Sequence, residues 1–286
     1  MAVSADPPSR WTRVIVTRPA GEADGWVAAL TAQGWPACSL PLIDIGPPKD
    51  PEVLDHLRRA QAHWPSWDAL MFVSAAAVDH FFHGLAPDAG DRGRRLPRWW
   101  APGPGTARAL AAGLQRLGLP TDLIDQPPAD APQFDSEHLW PVVSPQVGPG
   151  MRLLLVRGTS VSAAGVALGG TAGSGREWMV EQCRARGAQV DTCAAYERHP
   201  PHWSAERQAQ AQQAAAAGHL WLFSSSEALA HLCAALPGTD WSAVGALCTH
   251  DRIADAARKT GFGEVFCSRP SLSAVLATLE STRNSP

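Results

Sequence analysis

The stretch Arg13-Val-Ile-Val-Thr-Arg18-Pro19 decides the fold, because its outline returns later in the chain as Arg152-Leu-Leu-Leu-Val-Arg157-Gly158. Each stretch is a short apolar run bounded by arginines, which is typical of a strand buried in a parallel sheet. Each leads into a predicted helix, over 23–33 and 176–186, that is followed by glycine, the residue that commonly ends a helix. The chain therefore carries the same strand–helix pattern twice.

Three further segments repeat in the same order. An extended segment closed by Pro-Pro is followed by a strand, a serine turn and a helix, and then by a third strand–helix pair. The paired ranges are 36–48 with 189–201, 68–78 with 219–229, and 99–110 with 244–256. Such ordered self-similarity indicates duplication, and the alternation of strands and helices predicts an α/β fold of two similar lobes, each a parallel sheet flanked by helices.

The Pro-Pro pairs suggest where the chain crosses between lobes, because proline favours stiff extended backbone over helix. With crossing segments at 42–47 and 195–201, we expect one discontinuous lobe of 10–41 plus 202–281 and a second lobe of 48–194. A two-stranded antiparallel hinge would join them. Each lobe then takes its first strand–helix pair from one copy and its later pairs from the other.

Composition excludes several classes of partner. The 286 residues carry a net charge of −3 with scattered Lys and Arg, which gives no basis for binding nucleic acid or an anionic membrane surface. No apolar run of about 18 residues exists to span a membrane, and the first ten residues lack the apolar core of a secretion signal. We expect a cytoplasmic protein, and since nothing indicates an oligomer, a monomer.

Metal and nucleotide motifs are also missing. The cysteines lie far apart, and only His199 and His202 could share a metal, with no thiol or carboxylate cluster beside them, so we expect no metal. The turn at 103–108 has Arg108 where the dinucleotide fingerprint needs its third glycine. There is no phosphate-binding P-loop and no nucleophile elbow of a serine hydrolase.

Hydroxyls, two arginines and helix starts follow the predicted strands, where ligands bind in open parallel sheets. Hydroxyls and helix-start amides suit carboxylates or phosphates without a large net charge. The predicted substrate-binding residues are Thr17, Arg18, Ser74, Gly103, Gly105, Thr106, Arg157, Ser224, Ser225 and Thr249. The alternative for any single serine is that it only caps a helix, and Ser224 with Glu227 fits a capping box.

Two further features leave alternatives open. The small-residue stretch 159–175 reads as a flexible loop that is either a plain surface connection or a lid. Tyr196, the one tyrosine of the chain, lies in a crossing segment. It either packs on its strand or, on the hinge wall facing a cleft, donates a proton to a leaving group.

Taken together, several motifs resemble the uroporphyrinogen-III synthase family over residues 12–281. The matching segments are Val16–Pro19, Phe72–Val78, Gly103–Ala107, Gln133–Glu137, Tyr196 with Pro200-Pro201, and Phe223–Ser226. The resemblance implies a lyase of porphyrin, heme and tetrapyrrole biosynthesis that needs no cofactor. It would close the linear tetrapyrrole hydroxymethylbilane into uroporphyrinogen III in the cleft between lobes, inverting ring D through a spiro intermediate with loss of water.

The resemblance also assigns roles to residues. Tyr196 matches the family tyrosine that assists departure of the hydroxyl, and Thr106 matches its cleft threonine. The second-copy turn departs from the family pattern, because Ile253 stands where a threonine is expected and only Thr249 can supply a hydroxyl. The main alternative function is a non-enzymatic, hinge-type binding protein for a small polyanion, in which Tyr196 has no chemical role. A flavodoxin-like regulator would need an acidic or flavin-binding pocket that the sequence lacks.

Overall fold

The computed structural model describes residues 11–85, 96–161, 167–168 and 174–283. Its strands are β1 Arg13–Val16, β2 Ala37–Ser39, β3 Asp44–Gly46, β4 Ala69–Phe72, β5 Arg98–Trp100, β6 Ile124–Asp125, β7 Arg152–Val161, β8 Ala167–Leu168, β9 Gln189–His199, β10 His219–Phe223, β11 Gly245–Cys248 and β12 Glu264–Cys267. Its α-helices are α1 Ala20–Ala32, α2 Pro51–Ala62, α3 Ala75–Phe82, α4 Pro104–Arg116, α5 Ser136–Val143, α6 Ser174–Ala185, α7 Ala205–Ala214, α8 Ser226–Ala235, α9 Asp251–Thr260 and α10 Leu272–Arg283.

The chain divides into two compact units. Met1–Asp44 and Pro200–Pro286 form the discontinuous unit, and Ile45–His199 form the continuous unit. Strand β3 lies at the boundary and is the neighbour of β9 in the sheet of the continuous unit. The fold class is therefore the predicted one, an α/β chain with a parallel sheet flanked by helices in each unit.

The sheet of the discontinuous unit has the order β12-β11-β10-β1-β2, and its neighbouring strands are parallel. One face packs on α1 and α10, where Leu30 and Leu279 are fully buried against Val16 and Leu222. On the other face Trp221 and Phe223 contact the rings of Trp241 and Phe262. Side chains that alternate between two buried faces explain why β10 reads as an unbroken apolar run.

The main path of the continuous unit's sheet is β3-β9-β7-β4-β5-β6. One face packs on α2, α3 and α4, and the other packs on α5 and α6. Strand β8 pairs antiparallel with β7 beyond this path. The order places the carboxyl ends of β9, β7, β4 and β5 side by side at one edge, which is where the predicted site residues of this unit fall.

Several predicted boundaries were wrong. The first repeated helix spans Ala20–Ala32 rather than 23–33, and its counterpart spans Ser174–Ala185 rather than 176–186. Strand β7 does not end with the apolar run before Arg157 but continues to Val161, because it pairs with β9 as far as Ser160. The predicted loop 159–175 thus begins as strand and contains β8, while 162–166 and 169–173 lie outside the described residues.

Candidate active site

Four neighbouring strands of the continuous unit assemble the candidate site from the chain. Tyr196 comes from β9, Arg157 from β7, Ser74 follows β4, and residues 103–106 follow β5. Parallel pairing of β9 with β7, of β7 with β4 and of β4 with β5 brings these positions to the same edge. The sheet order thus gathers residues that lie more than a hundred positions apart in sequence.

Ser74 joins a helix start to the phenol of Tyr196. It is the N-cap of α3, with extended backbone, and its Oγ accepts a hydrogen bond from the Ala77 N–H at 3.1 Å. The same oxygen lies 3.1 Å from the Tyr196 hydroxyl. Ser74 therefore caps α3 and contacts the phenol at the same time. As a cap its oxygen accepts a hydrogen bond, so its hydroxyl hydrogen stays available for the phenol oxygen.

Tyr196 is buried, with 3% of its surface exposed, and lies in the core between the sheet and α3. Its ring stacks on His80, with the ring centroids 5.7 Å apart. The hydroxyl is held by Ser74, while the ring packs among apolar side chains. A buried phenol with one polar contact at its tip can donate a proton without exposing the ring to water.

His80 stands beside the phenol as a neutral ring. Its pKa is lowered from the ordinary value, mainly because burial disfavours the charged form; Asp79 raises the pKa and His83 lowers it. The imidazole is accordingly uncharged near neutral pH and stacks on Tyr196 without adding a positive charge. Sequence reasoning missed His80, because no motif marks a histidine in the last turn of α3 as a neighbour of residue 196.

Arg157 lies inside β7 and not, as predicted, just past the end of a strand. Its Cα partner on β9 is Ala194. Its Nε is buried and has no hydrogen-bond partner among the described residues. A buried guanidinium nitrogen with an unused donor is expensive to maintain, and a carboxylate is the group that satisfies it best.

The start of α4 adds backbone donors to this edge. Gly103 is the N-cap, and a Cβ there would lie 3.3 Å from the Cβ of Phe134. At Gly105 a Cβ would have no described atom within 4 Å, so this turn of the helix faces open space. Thr106 is largely buried at the third helical position. The first amides of a helix attract anions, so the predicted role of this turn in binding substrate stays a prediction.

The discontinuous unit brings its predicted residues together in the same way, after β1, β10 and β11. The Thr249 N–H donates to Phe223 O at 3.0 Å, and the Thr17 hydroxyl donates to Leu222 O at 2.7 Å. Ser225, rather than Ser224, caps α8 and accepts from the Glu227 N–H, so the capping box on Ser224 was wrong. The hydroxyls of Thr17 and Ser225 are thus engaged by backbone.

Arg18 is held by its own helix. Its Nη1 donates to Glu22 at 2.7 Å, and its guanidinium lies 4.2 Å from the ring centroid of Trp26. Only its Nε is buried without a partner in the described part of the chain. The charge of Arg18 is largely compensated, in contrast to Arg157.

A cavity of about 360 Å³ lies at the opposite edge of the continuous unit, at the amino ends of its strands. Its polar groups already satisfy one another: Arg98 is paired with Asp125, which also accepts from Gln146, while Asp68 accepts from the Arg152 N–H. The cavity is therefore a gap in a structural ion network and not part of the candidate site.

Two other features are absent from the described residues. None of the helices there is both long and apolar enough to cross a membrane. No group of three or more His, Cys, Asp and Glu in the described ranges is arranged to hold a metal ion.

Comparison with known proteins decides the family. A family model described as uroporphyrinogen-III synthase HemD matches residues 24–277 of the chain. The chain belongs to the uroporphyrinogen-III synthase family. It is 30% identical to the uroporphyrinogen-III synthase of Synechococcus elongatus over 84% of this chain and 81% of that protein. It is 29% identical to that of Escherichia coli K12 over 70% of this chain and 71% of that protein.

A solved structure of the family supports the fold. Uroporphyrinogen-III synthetase from Helicobacter pylori aligns with a TM-score of 0.53, covering 94% of this chain and 98% of that chain. Its sequence identity is 13%, so this likeness concerns the fold alone. The resemblance found in the sequence motifs is thereby confirmed as a family relationship.

Proposed function

We propose that the protein is the hydro-lyase that closes hydroxymethylbilane into uroporphyrinogen III, with loss of water and inversion of ring D. Family membership supports this assignment and does not favour the non-enzymatic binding protein. The single structural observation that carries it is the buried Tyr196 hydroxyl, held 3.1 Å from Ser74 at the strand ends of the continuous unit. A binding protein gives such a phenol no chemical role.

Tyr196 is the proton donor in this proposal. The phenol hydrogen passes to the departing hydroxyl of the substrate, the carbon–oxygen bond breaks, and water leaves as the pyrrole nitrogen supplies electrons. An electron-rich pyrrole carbon then attacks the resulting methylene to give the spiro intermediate. The spiro intermediate then opens and recloses with ring D inverted. The proton that the pyrrole ring loses in the last step returns to the phenolate and restores the phenol.

Ser74 assists by donating its hydroxyl hydrogen to the phenol oxygen. Its own oxygen already accepts from the Ala77 N–H, which polarises the serine O–H through the start of α3. The phenol hydrogen is then free for the substrate, and the negative charge left on the oxygen is stabilised by a hydrogen bond. The pyrroles are activated in themselves, so the remaining task of the protein is to hold the substrate in a reactive conformation.

The carboxylates of the substrate are proposed to bind the predicted substrate-binding residues. Arg157 offers a buried nitrogen without a partner, and the starts of α4 and α8 offer backbone amides near Thr106 and Ser225. The remaining predicted contacts are Gly103, Gly105, Ser224 and Thr249. Thr17 and Arg18 have less to offer, because the Thr17 hydroxyl is already engaged by Leu222 and the Arg18 Nη1 by Glu22.

The product isomer tests the assignment directly. Freshly prepared hydroxymethylbilane closes without the enzyme to the type I isomer, in which ring D is not inverted. We expect the purified protein to give the type III isomer, measured by chromatography of the oxidised porphyrins. Type I product alone at every protein concentration would refute the proposed activity.

We further propose that the protein acts in the cytoplasm as a monomer. All six cysteines are free, and burial raises the pKa of Cys193 and of Cys248 to about 12, so they remain protonated thiols. Free buried thiols suit a reducing compartment. Light scattering of the purified protein measures its mass in solution; a mass of about 30.4 kDa is expected.

A further inference from the structure

Gly158 lies directly against the Tyr196 ring. The two residues are Cα partners on neighbouring strands. A Cβ added to Gly158 would lie 2.8 Å from Cε1 of Tyr196 and still closer to Cζ and Cε2, within the distance that real Cβ atoms essentially never reach. The space that any other residue would fill is therefore occupied by the hydroxyl end of the tyrosine ring.

A bulge opposite Gly158 turns Tyr196 toward α3. Arg157 pairs with Ala194 but Gly158 pairs with Tyr196, so Ala195 is an extra residue in β9. In a regular strand residues 195 and 196 would point to opposite faces of the sheet. Here Ala195 and Tyr196 are both buried in the same core cluster, the one that contains α3. Bulges of this kind occur next to active sites, where they redirect a side chain.

We propose that Gly158, together with the Ala195 bulge, is a positioning device that fixes the Tyr196 phenol on Ser74 and so sets the rate of the chemical step. The bulge places the Tyr196 side chain on the face of the sheet that packs against α3. Because residue 158 has no side chain, the ring can lie across β7 with its hydroxyl beside the start of α3. Gly158 itself contacts the ring and not the reacting atoms. This inference rests on the proposed role of Tyr196 as proton donor.

A double-mutant cycle tests the device. Gly158→Ala, Tyr196→Phe and the double variant are compared by the single-turnover rate of type III formation and by the Kd of the product. An alanine side chain at position 158 would clash with the ring at position 196 whether that residue is tyrosine or phenylalanine. Any general cost of the clash is therefore present in the wild type and in the Tyr196→Phe variant. We expect Gly158→Ala to slow the wild type at least tenfold, and to slow the Tyr196→Phe variant less than twofold, because the hydroxyl it misplaces is already gone.

Gly113→Ala is the matched control. A Cβ there would lie 2.9 Å from Cδ1 of Phe82, in the same core cluster but away from the phenol. We expect its rate to stay within twofold of the wild type, with thermal unfolding by circular dichroism recording the stability of every variant. If Gly113→Ala slows the reaction as much as Gly158→Ala, crowding of the core is sufficient and the positioning role is refuted.

The outcomes separate the two proposals. If Tyr196→Phe is slow and the effects of the two substitutions multiply in the double variant, the positioning inference falls and the proposed function stands. If Tyr196→Phe reacts as fast as the wild type, the role of the phenol falls.

A measurement on the unmutated protein remains decisive should Gly158→Ala not fold. A ring confined by the β7 backbone flips slowly, so ¹³Cε-labelled tyrosine should give two resonances at low temperature, and a single averaged resonance would overturn the inference.

Discussion

The strand ends of the continuous unit and those of the discontinuous unit derive from the same repeated pattern but use their polar groups differently. In the continuous unit the capping hydroxyl of Ser74 also contacts a second side chain, Tyr196, and Arg157 keeps an unpartnered donor. In the discontinuous unit Thr17 donates to backbone, and Arg18 is paired with Glu22. We therefore expect the polar side chains of the continuous unit to act on the substrate, and those of the discontinuous unit to have a supporting role.

Removal of the phenol should have the largest effect. In Tyr196→Phe the ring and its packing remain while the proton donor is lost, so we expect the single-turnover rate to fall about 100-fold. Product affinity should change little, because the lost group acts on the leaving hydroxyl. Stopped single turnovers and equilibrium dialysis of the product measure the two quantities, and an unchanged rate would return Tyr196 to a packing role.

The two arginines provide the next comparison. Arg157→Met removes the unpartnered donor, and we expect KM to rise about tenfold, equivalent to about 1.4 kcal/mol of binding free energy. Arg18→Met should raise KM clearly less, because the Arg18 guanidinium is already bound by Glu22 and stacked on Trp26. Steady-state kinetics on both variants decides the point; equal effects would contradict the difference between the two arginines.

The two capping serines separate stability from catalysis. Ser74→Ala and Ser225→Ala each remove an N-cap, so each should lower the free energy of unfolding by about 1 kcal/mol. Only Ser74→Ala also removes the partner of the phenol, and we expect its kcat to fall about tenfold more than that of Ser225→Ala. Denaturant unfolding and kcat are the paired measurements. A matching loss of kcat in both variants would contradict the difference between the units.

The smallest expected effect concerns His80 and pH. Because burial lowers its pKa in the folded protein, the unfolded chain binds a proton at His80 more readily than the folded protein does. His80 therefore lowers the free energy of unfolding as the pH falls below the pKa of a histidine in the unfolded chain, about 6.5, and has no such effect well above that pH. We expect the melting temperature of the wild type to fall more steeply between about pH 7.5 and 5.5 than that of His80→Gln. Parallel slopes would refute this contribution.

The sequence predicted the strands, the repeats and the discontinuous unit's strand-end hydroxyls because these follow from periodicity and local turn chemistry. The pairing of Ser74 with Tyr196 was not predicted, because Tyr196 was assigned to a segment that crosses between lobes. The pairing depends on the Ala195 bulge, which breaks the alternation that strand prediction assumes. The clash that makes Gly158 a glycine comes from a residue 38 positions away, so no local signal reveals it. Arg157 was misplaced because an apolar run does not show how far its strand continues.

The one tyrosine of the chain allows the central claim, that the Tyr196 phenol lies where the substrate reacts, to be measured directly. Protein labelled with ¹³Cζ-tyrosine gives a resonance from Tyr196 alone. Under anaerobic conditions, saturation with uroporphyrinogen III should shift this resonance in the wild type. Product that binds by dialysis while the resonance stays unchanged would contradict the claim.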